Sequence, residues 1–355
     1  MPAQGPNVPV PGFEVLINGS ALSAVEGAHV VHVSVEQATE LPDIFSLEIV
    51  ASDELDDQFM WVDDEGLFPV GGSVEVKLGY ADQLASLFKG EITGLEPSFA
   101  AGRAPTLVVR GYDRRHRLAR GRNTRSFVKK KDSDIATQIA GESNLNADVT
   151  DSGLIHDYVL QANQTDFEFL LERARRINYE VVVEDKTLSF RPVANDRGAE
   201  VSLAADSDLF EFRPRLSAAG QVSEVAVRGW DPKNKKAIVG KSQSGDEVSK
   251  MGGKQAGAAL SRRAFGGATG ALSRTPVASQ AEADRMAVAS LNGTALELIT
   301  GEAACDGSTS LRPGKVVEIT GAGKRFSGLY YVTAVAHVIT GEGYTTRFSF
   351  RRNAL

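Results

Sequence analysis

Residues 301–350 read GEAACDGSTSLRPGKVVEITGAGKRFSGLYYVTAVAHVITGEGYTTRFSF, and this stretch decides the fold. Between its glycines, apolar and polar residues alternate, as in Val317-Glu318-Ile319, which is typical of a strand with one buried face. Glycine permits the tight turns that link such strands. The glycines of this stretch at turn positions are Gly301, Gly307, Gly314, Gly321, Gly328 and Gly343. The stretch therefore predicts short antiparallel strands joined by turns.

A second stretch of the same character runs from Phe13 to Tyr112. Within it, Val74, Val76 and Leu78 alternate with polar residues, the period-two pattern of a half-buried strand. We interpret this stretch as an antiparallel β-barrel. Its predicted strands are Phe13–Ile17, Val30–Val35, Ile44–Ile49, Val74–Leu78, Phe88–Leu95 and Thr106–Arg110.

The two stretches share short sequence features that suggest an internal duplication. Both finish in a strand followed by paired arginines, Arg114-Arg115 and Arg351-Arg352. Because strands divided by glycines also match by chance, the residues alone leave the duplication open. The matched features are Gly71, Val74-Glu75-Val76 and Phe88-Lys89-Gly90 in the first stretch, and Gly314, Val317-Glu318-Ile319 and Phe326-Ser327-Gly328 in the second.

Two helices and a hairpin are predicted between the stretches. The helices cover Asp132–Ser143 and Thr165–Asn178, and the second begins with a capping box formed by Thr165 and Glu168. The hairpin pairs Tyr179–Val183 with Leu188–Arg191. These elements predict a small α/β module.

The segment before the final stretch mixes several patterns. Val222–Arg228 is a clear strand pattern that we assign to the start of a second barrel. Residues 241–274 have few large apolar side chains, which predicts a long loop or a segment ordered by a partner. A helix follows from Ser279, and Asn292-Gly293 is expected to end it.

The predicted fold class is β-rich α+β, with two similar antiparallel β-barrels, an α/β middle domain and a helix-containing insertion in the second barrel. The expected division is an N-terminal arm (1–11), a first barrel (12–112), a middle domain (113–193), a second barrel (194–240 and 296–355) and a flexible loop with a helix (241–295).

Composition excludes several classes of protein. The 355 residues carry a net charge of −7, which argues against a dedicated nucleic-acid binder. A single cysteine, Cys305, rules out an intramolecular disulfide and a cysteine-rich zinc site. The N-terminus lacks the pattern of a secretory signal, and no apolar run reaches the roughly 20 residues that span a bilayer.

Residues that could support catalysis or metal binding are sparse. His29 and His32 are three apart in a strand pattern, which directs them to opposite faces. Acidic residues crowd between Asp53 and Glu65, where a solvated loop is the simplest interpretation. There is no Gly-x-Ser-x-Gly elbow, P-loop or dinucleotide-binding motif. We therefore predict no enzyme, no cofactor and no metal site.

With its glycine-divided C-terminal stretch, the chain resembles the phage late control D and VgrG-type baseplate hub proteins. Residues that look like the middle domain of that family are Gly111-Tyr112-Asp113-Arg114-Arg115, Val159-Leu160-Gln161, Thr165-Asp166-Phe167-Glu168-Phe169-Leu170 and Leu188-Ser189-Phe190-Arg191-Pro192. The resemblance implies two similar barrels per chain. It also implies a homotrimeric ring that adapts a threefold spike to a sixfold inner tube and nucleates assembly.

The sequence ends at Leu355, directly after the second barrel, whereas fused members of the family continue into a spike. The resemblance thus implies a separate spike protein, with the inner-tube proteins and other baseplate proteins as further partners. Assembly in the bacterial cytoplasm is expected, within a phage tail, a bacteriocin or an extracellular injection particle that can be released.

A basic segment follows the first barrel. Its cations could form a solvated face or contact an acidic partner protein, and the family resemblance favours a partner at the exit of that barrel; nucleic acid is the minor option. The residues proposed for partner contact are Arg114, Arg115, Arg117, Arg120, Arg122, Arg125, Lys129, Lys130 and Lys131.

Two other functions compete with the hub interpretation. A cell-wall hydrolase carried by the particle would need a compact catalytic domain, and the chain leaves little unassigned length for one. A carbohydrate-binding β protein would use exposed aromatic residues such as Trp61 and Trp230. These tryptophans are isolated in the sequence, so this alternative ranks last.

Overall fold

The computed structural model describes residues 10–51, 61, 66–81, 83–231, 234–273 and 276–355. Most of the predicted N-terminal arm and most of the acidic stretch from Asp53 to Glu65 lie outside the described residues. None of the helices in the described ranges is long and apolar enough to span a membrane.

The first β unit is an antiparallel sheet that contains the strands predicted between Phe13 and Arg110. Its order is β3-β4-β7-β6-β5-β1-β2. The core contains Phe45, Leu47 and Val76, which are fully buried. The elements are β1 (Pro11–Ile17), β2 (Ser20–Ala21), α1 (Ala24–Ala28), β3 (Val30–Ala38), β4 (Ile44–Val50), β5 (Ser73–Tyr80), β6 (Gln83–Ser98) and β7 (Thr106–Tyr112).

The middle unit combines helices with two small sheets. Its elements are α2 (Arg115–Leu118), β8 (Asn123–Lys131), α3 (Asp132–Glu142), β9 (Asn146–Val149), β10 (Ile155–Gln164), α4 (Asp166–Arg175), β11 (Tyr179–Glu184) and β12 (Thr187–Pro192). Strands β8 and β10 form one sheet, and β11-β12-β9 form the other. The predicted capping box of α4 is present: Glu168 N donates to Thr165 Oγ1 at 3.1 Å, and Thr165 N donates to Glu168 Oε2 at 3.0 Å.

The rest of the chain forms a second β unit with an insertion. The elements in chain order are β13 (Val201–Ala204), β14 (Leu209–Leu216), β15 (Glu224–Asp231), β16 (Lys236–Gln243), α5 (Gly257–Phe265), β17 (Thr269–Leu272), α6 (Gln280–Leu296), β18 (Ile299–Asp306), β19 (Val316–Thr320), α7 (Gly323–Phe326), β20 (Gly328–Thr340) and β21 (Gly343–Arg352). The sheet of the second β unit has the order β14-β18-β21-β20-β19-β13. The predicted β-rich fold with large antiparallel sheets is confirmed.

The insertion differs from the sequence prediction in two respects. The strand at 222–228 was expected in the second large sheet, but β15 lies in a separate sheet of order β16-β15-β17. Residues 241–274 were expected to be a long loop or a segment ordered by a partner, yet they contain α5 and β17. This segment folds because α6 covers the small sheet: Val227, Ile238 and Met286 share a buried cluster. The large apolar residues that complete the cluster lie outside the segment, so its own composition was misleading.

Helix α6 also runs past its predicted end and stops at Leu296. Asn292, which is buried, donates from Nδ2 to the Val288 carbonyl oxygen at 2.8 Å and accepts from Val248 N at 2.9 Å. Its side chain therefore binds the helix and a neighbouring loop, instead of ending the helix.

The two β units repeat the same strand order. In β6 a register irregularity separates Ile92 from Gly94, and in β20 one separates Val332 from Ala334. Gly71 N donates to the Ile92 carbonyl oxygen at 2.8 Å, and Gly314 N donates to that of Val332 at 2.9 Å. Both glycines have positive φ, 86° and 78°. The internal repeat is thus present at the level of single residues.

Two of the sequence matches that suggested the duplication align residues that are not equivalent in the structure. The pairing of β5 with β6 sets Val74 against Gly90, whereas that of β19 with β20 sets Val317 against Tyr330. Gly90 therefore corresponds to Tyr330 and not to Gly328. The paired arginines at 114–115 and 351–352 are likewise not equivalent, because Tyr112, opposite Glu91, corresponds to Arg351, opposite Tyr331.

Strands β3 and β20 join the two units into one 13-stranded sheet. We call this antiparallel pairing, from Ala38 opposite Ala334 to His32 opposite Thr340, the internal seam. Val35 and His337 face each other in it, and both are fully buried. The two β units therefore form one continuous structure. The predicted boundaries between separate domains stay a prediction.

A carboxylate at position 317 should unfold the second β unit. Val317 is 1% exposed in the core that contains Tyr330 and Phe350, and an unpaired buried charge is strongly destabilising. We expect Val317→Asp to cost more than about 4 kcal/mol and to prevent self-association. Val239→Asp, at an exposed position on β16, is the matched control. Thermal unfolding and native mass are the measurements. A Val317→Asp protein as stable as the control would show that the side chain does not point inward.

Candidate functional site

The basic segment begins where the first β unit meets the middle unit, and its central residue is Arg115. The Arg115 side chain is 2% exposed. Its Nε donates to Asp113 Oδ2 at 2.6 Å, its Nη1 donates to the Ala38 carbonyl oxygen at 3.0 Å, and its Nη2 donates to the Asp43 carboxylate. Arg115 thus fastens the start of α2 to the β3–β4 connection, and every side-chain nitrogen of its guanidinium has a partner inside the chain.

Asp43 shares this buried cluster with Asp113. The pKa of Asp43 is raised to about 6, because burial and the nearby charge of Asp113 together outweigh the opposing charge of Arg115. The Asp43 backbone N–H also donates to Asp113 Oδ2 at 2.9 Å. The two carboxylates are therefore held together around one guanidinium.

Glu91 on β6 organises a second group of cations. It accepts from Arg117 Nε at 2.8 Å and Nη2 at 2.6 Å, and from His116 Nε2 at 2.9 Å. Arg114 Nε lies 3.5 Å from its Oε1. Burial works against ionisation of Glu91, but the hydrogen bonds from Arg117 and His116 outweigh it and lower the pKa. A single carboxylate therefore compensates several of the cations noted in the sequence.

Cations further along the segment bind β8 to the other elements of the middle unit. Arg125 Nη2 donates to Asp166 Oδ1 at 2.9 Å, Lys131 Nζ contacts Asp151 at 3.0 Å, and Lys130 Nζ donates to Gln138 Oε1 at 2.6 Å. Exposed Arg122 pairs with Glu168 at 2.9 Å. Among the described residues, Arg120 and Lys129 are exposed and have no ion pair. Most of the positive charge of the basic segment is thus compensated by partners within the chain.

Arg312, which precedes β19 of the second β unit, binds residues of the first β unit. Its Nη1 donates to the Leu87 carbonyl oxygen at 2.8 Å and to Gln37 Oε1 at 3.2 Å, and its Nη2 donates to the Ser86 carbonyl oxygen at 2.6 Å. It lines a cavity of about 520 Å³ together with Arg115. Arg312 lies two residues before the turn glycine Gly314, and no signal in the sequence indicated its role in this contact.

The insertion meets the middle unit through another buried charge cluster. Arg173 Nε donates to Asp132 Oδ1 at 2.6 Å, and Arg176 Nη1 donates to Glu282 Oε1 on α6 at 3.2 Å. His156 Nε2 lies 3.1 Å from Asp132 Oδ2. Burial opposes ionisation of Asp132, but the His156 hydrogen bond and the Arg173 charge lower its pKa. These contacts are fixed ion pairs between parts of the chain.

Burial keeps the side chains of Cys305 and His337 in their neutral forms. Burial raises the pKa of the Cys305 thiol to about 12, so no thiolate forms near neutral pH. Burial lowers the pKa of His337 to about 3, and the Arg312 charge adds to this shift. Neutral His337 shares hydrogen bonds with Thr346 Oγ1 at 3.2 Å and Tyr344 OH at 3.0 Å. Within the described ranges, no three His, Cys, Asp or Glu side chains are grouped to hold a metal ion.

Comparison with family models assigns the whole architecture. The model of the Alg8 N-terminal domain matches residues 7–341, which include the first β unit, the middle unit and the second β unit as far as β20. The chain belongs to the Alg8 N-terminal domain family. No curated protein matches the sequence.

Several solved structures share the fold of this chain. The 43 kDa tail protein of prophage MuSo2 from Shewanella oneidensis superposes with a TM-score of 0.73 and 13% identity, over 96% of this chain and 98% of that one. A tail protein from Neisseria meningitidis MC58 gives 0.69 and 12% identity, over 97% of each chain. The c3393 protein of E. coli, a type VI secretion component, gives 0.56 and 13% identity, over 96% of this chain and 77% of that one. Nearly all of the given sequence therefore shares the fold of these proteins.

Loss of the Arg115 guanidinium should strongly destabilise the protein. Arg115→Met leaves Asp43 and Asp113 buried without their cation, at a cost of about 3–5 kcal/mol. Arg122→Met removes an exposed pair with Glu168 and should cost about 1 kcal/mol or less. Urea unfolding of both variants measures the difference. Equal midpoints would mean that the buried cluster contributes no more than a surface pair.

The raised pKa of Asp43 predicts a particular pH dependence. Between about pH 4 and pH 6 the folded protein binds a proton at Asp43 that the unfolded chain has released, so this contribution to stability falls as the pH rises. Across this pH window, the free energy of unfolding of the wild type should fall by up to about 3 kcal/mol relative to that of Asp43→Asn. Urea unfolding of both proteins at several pH values provides the test. A difference that is constant with pH, or that grows as the pH rises, would contradict the raised pKa.

Proposed function

We propose that the chain is a structural hub subunit of a contractile injection system or phage-like tail. The fold it shares with the tail proteins from S. oneidensis and N. meningitidis along nearly its whole length supports this role. The internal charge clusters join parts of the chain, and the role requires no turnover. Resemblance to the late control D and VgrG-type hubs is the basis for the position at the baseplate.

The internal repeat is the observation that carries the proposal. Two β units with the same strand order lie side by side in one sheet, so three copies arranged in a ring would present six similar units. Such a ring matches threefold symmetry on one side and near-sixfold symmetry on the other. In this proposal the ring seats the first inner-tube proteins, binds a separate spike and nucleates the baseplate. Assembly takes place in the bacterial cytoplasm, before the particle is released.

We also propose that the basic segment contributes to contact with another baseplate protein. Arg120 and Lys129 are the cations available for an acidic partner, since the others bind within the chain. Lys129 lies beside an apolar surface on the outer face of β8 and β10. There Val128 is 58% exposed and Tyr158, directly opposite it, is 59% exposed. An exposed apolar surface of this kind is typical of protein interaction sites.

The native mass tests the ring directly. We expect light scattering across a range of concentrations to give three times the chain mass of 37.9 kDa, either for the chain alone or once a candidate spike protein from a neighbouring gene is added. The ring buries further surface between copies, so the fraction of trimer should rise with concentration. A strict monomer at every concentration, with and without the spike, would refute the proposed ring.

A further inference from the structure

The internal repeat places four strands in two equivalent pairs. The irregularity shared by β6 and β20 makes Gly94 equivalent to Ala334. A second shared irregularity separates Val30 from His32 in β3 and Leu209 from Glu211 in β14, which makes β14 the equivalent of β3. The internal seam between β20 and β3 therefore has a counterpart made of β6 and β14.

Within the described ranges, each strand of this counterpart has one edge without a paired strand. The last part of β6, Gly94–Ser98, pairs with β7 on one side, and no described strand pairs with its other side. Strand β14 pairs with β18 on one side, and among the described strands it ends the 13-stranded sheet. Such edges are where another strand can add.

Side chains at the open edges differ in exposure from those of the internal seam. Val33 in β3 is 1% exposed, whereas its equivalent Phe212 in β14 is half-buried. Ile339 in β20 is 7% exposed, whereas its equivalent Phe99, directly after β6, is 56% exposed. Apolar side chains of the counterpart are thus more exposed than their equivalents in the internal seam.

We infer that β14 of one copy pairs antiparallel with Gly94–Ser98 of β6 in a second copy, in the register of the internal seam. The inference rests on the proposed ring and specifies its contact surface. Because two different edges meet, the contact is head-to-tail, and repetition closes a ring when the rotation per copy is one third of a turn.

The transferred register gives chemically matched neighbours. Leu95 lies opposite Leu216 of the second copy, as Val335 lies opposite Gln37 in the internal seam. Glu96 lies opposite Arg215, an opposite-charge pair that stabilises adjacent strands. Pro97 lies opposite Pro214, and neither residue has an N–H to donate.

The two prolines make this contact weaker than the internal seam. Proline at a sheet edge limits the addition of unrelated strands. Where both strands carry proline at the same level, main-chain hydrogen bonds are lost and the side chains hold the contact. The seam between copies is accordingly selective and weaker than the seam within the chain.

Cysteine cross-linking tests the register. Residues directly opposite each other in antiparallel strands have Cα atoms about 4.5–5.5 Å apart, within the range of a disulfide. Leu95→Cys combined with Leu216→Cys should give covalent trimers after mild oxidation. Each single variant should stay uncross-linked, and the native Cys305 is buried. Leu95→Cys with Phe210→Cys, on the same strand but roughly 20 Å away, is the matched control.

Exchange of charges provides an independent test in solution. Glu96→Arg and Arg215→Glu should each raise the concentration for half-assembly about tenfold. The double variant should recover most of the affinity that each single variant loses. Glu96 also pairs with Arg110 at 3.0 Å in its own copy, so thermal unfolding must show that each variant is folded.

The outcomes separate this inference from the ring itself. Trimeric wild type with selective cross-linking at 95 and 216 supports the seam. Trimeric wild type without that cross-link, or with equal cross-linking in the control, overturns the seam and leaves the ring intact. A wild type that is monomeric under all conditions overturns both.

Discussion

The antiparallel pairing of β3 with β20 is the interaction on which the rest of the structure depends. It ties residues 32–38 to residues 334–340, so nearly the whole chain lies within one loop closed by the internal seam. The middle unit and the insertion must fit between these ends. Arg115 and Arg312 both bind at the end of β3, through the Ala38 carbonyl oxygen and the Gln37 side chain. Strand pairing and side-chain contacts thus converge on the same few residues.

Electrostatics in this protein serves mainly to fix parts of the chain relative to one another. Buried clusters around Asp43, Glu91 and Asp132 lie where the middle unit meets its neighbours. Buried ion pairs add little net stability, because desolvation offsets their attraction, yet they tolerate only one arrangement of their partners. Such clusters therefore hold the parts of the chain in one fixed arrangement.

The sequence predicted local structure well and long-range structure poorly. Alternation in Val74–Leu78 and the Thr165–Glu168 capping box depend on neighbouring residues, so β5 and α4 could be recognised. The internal seam joins residues some 300 positions apart and leaves no local pattern. The basic segment was conspicuous, but its compensating carboxylates are dispersed along the chain. Residues 241–274 were misjudged because α6 supplies the apolar partners that they lack.

The internal seam also governs the order of events during synthesis. Strand β3 leaves the ribosome early, whereas β20 is made about 300 residues later. At about 5–20 residues per second, the wait lasts roughly 15 to 60 seconds. During this time one edge of β3 lacks its partner and can attract other strands. The fold is therefore completed only after β20 has been made, and nascent chains on one messenger are exposed to mispairing until that strand emerges.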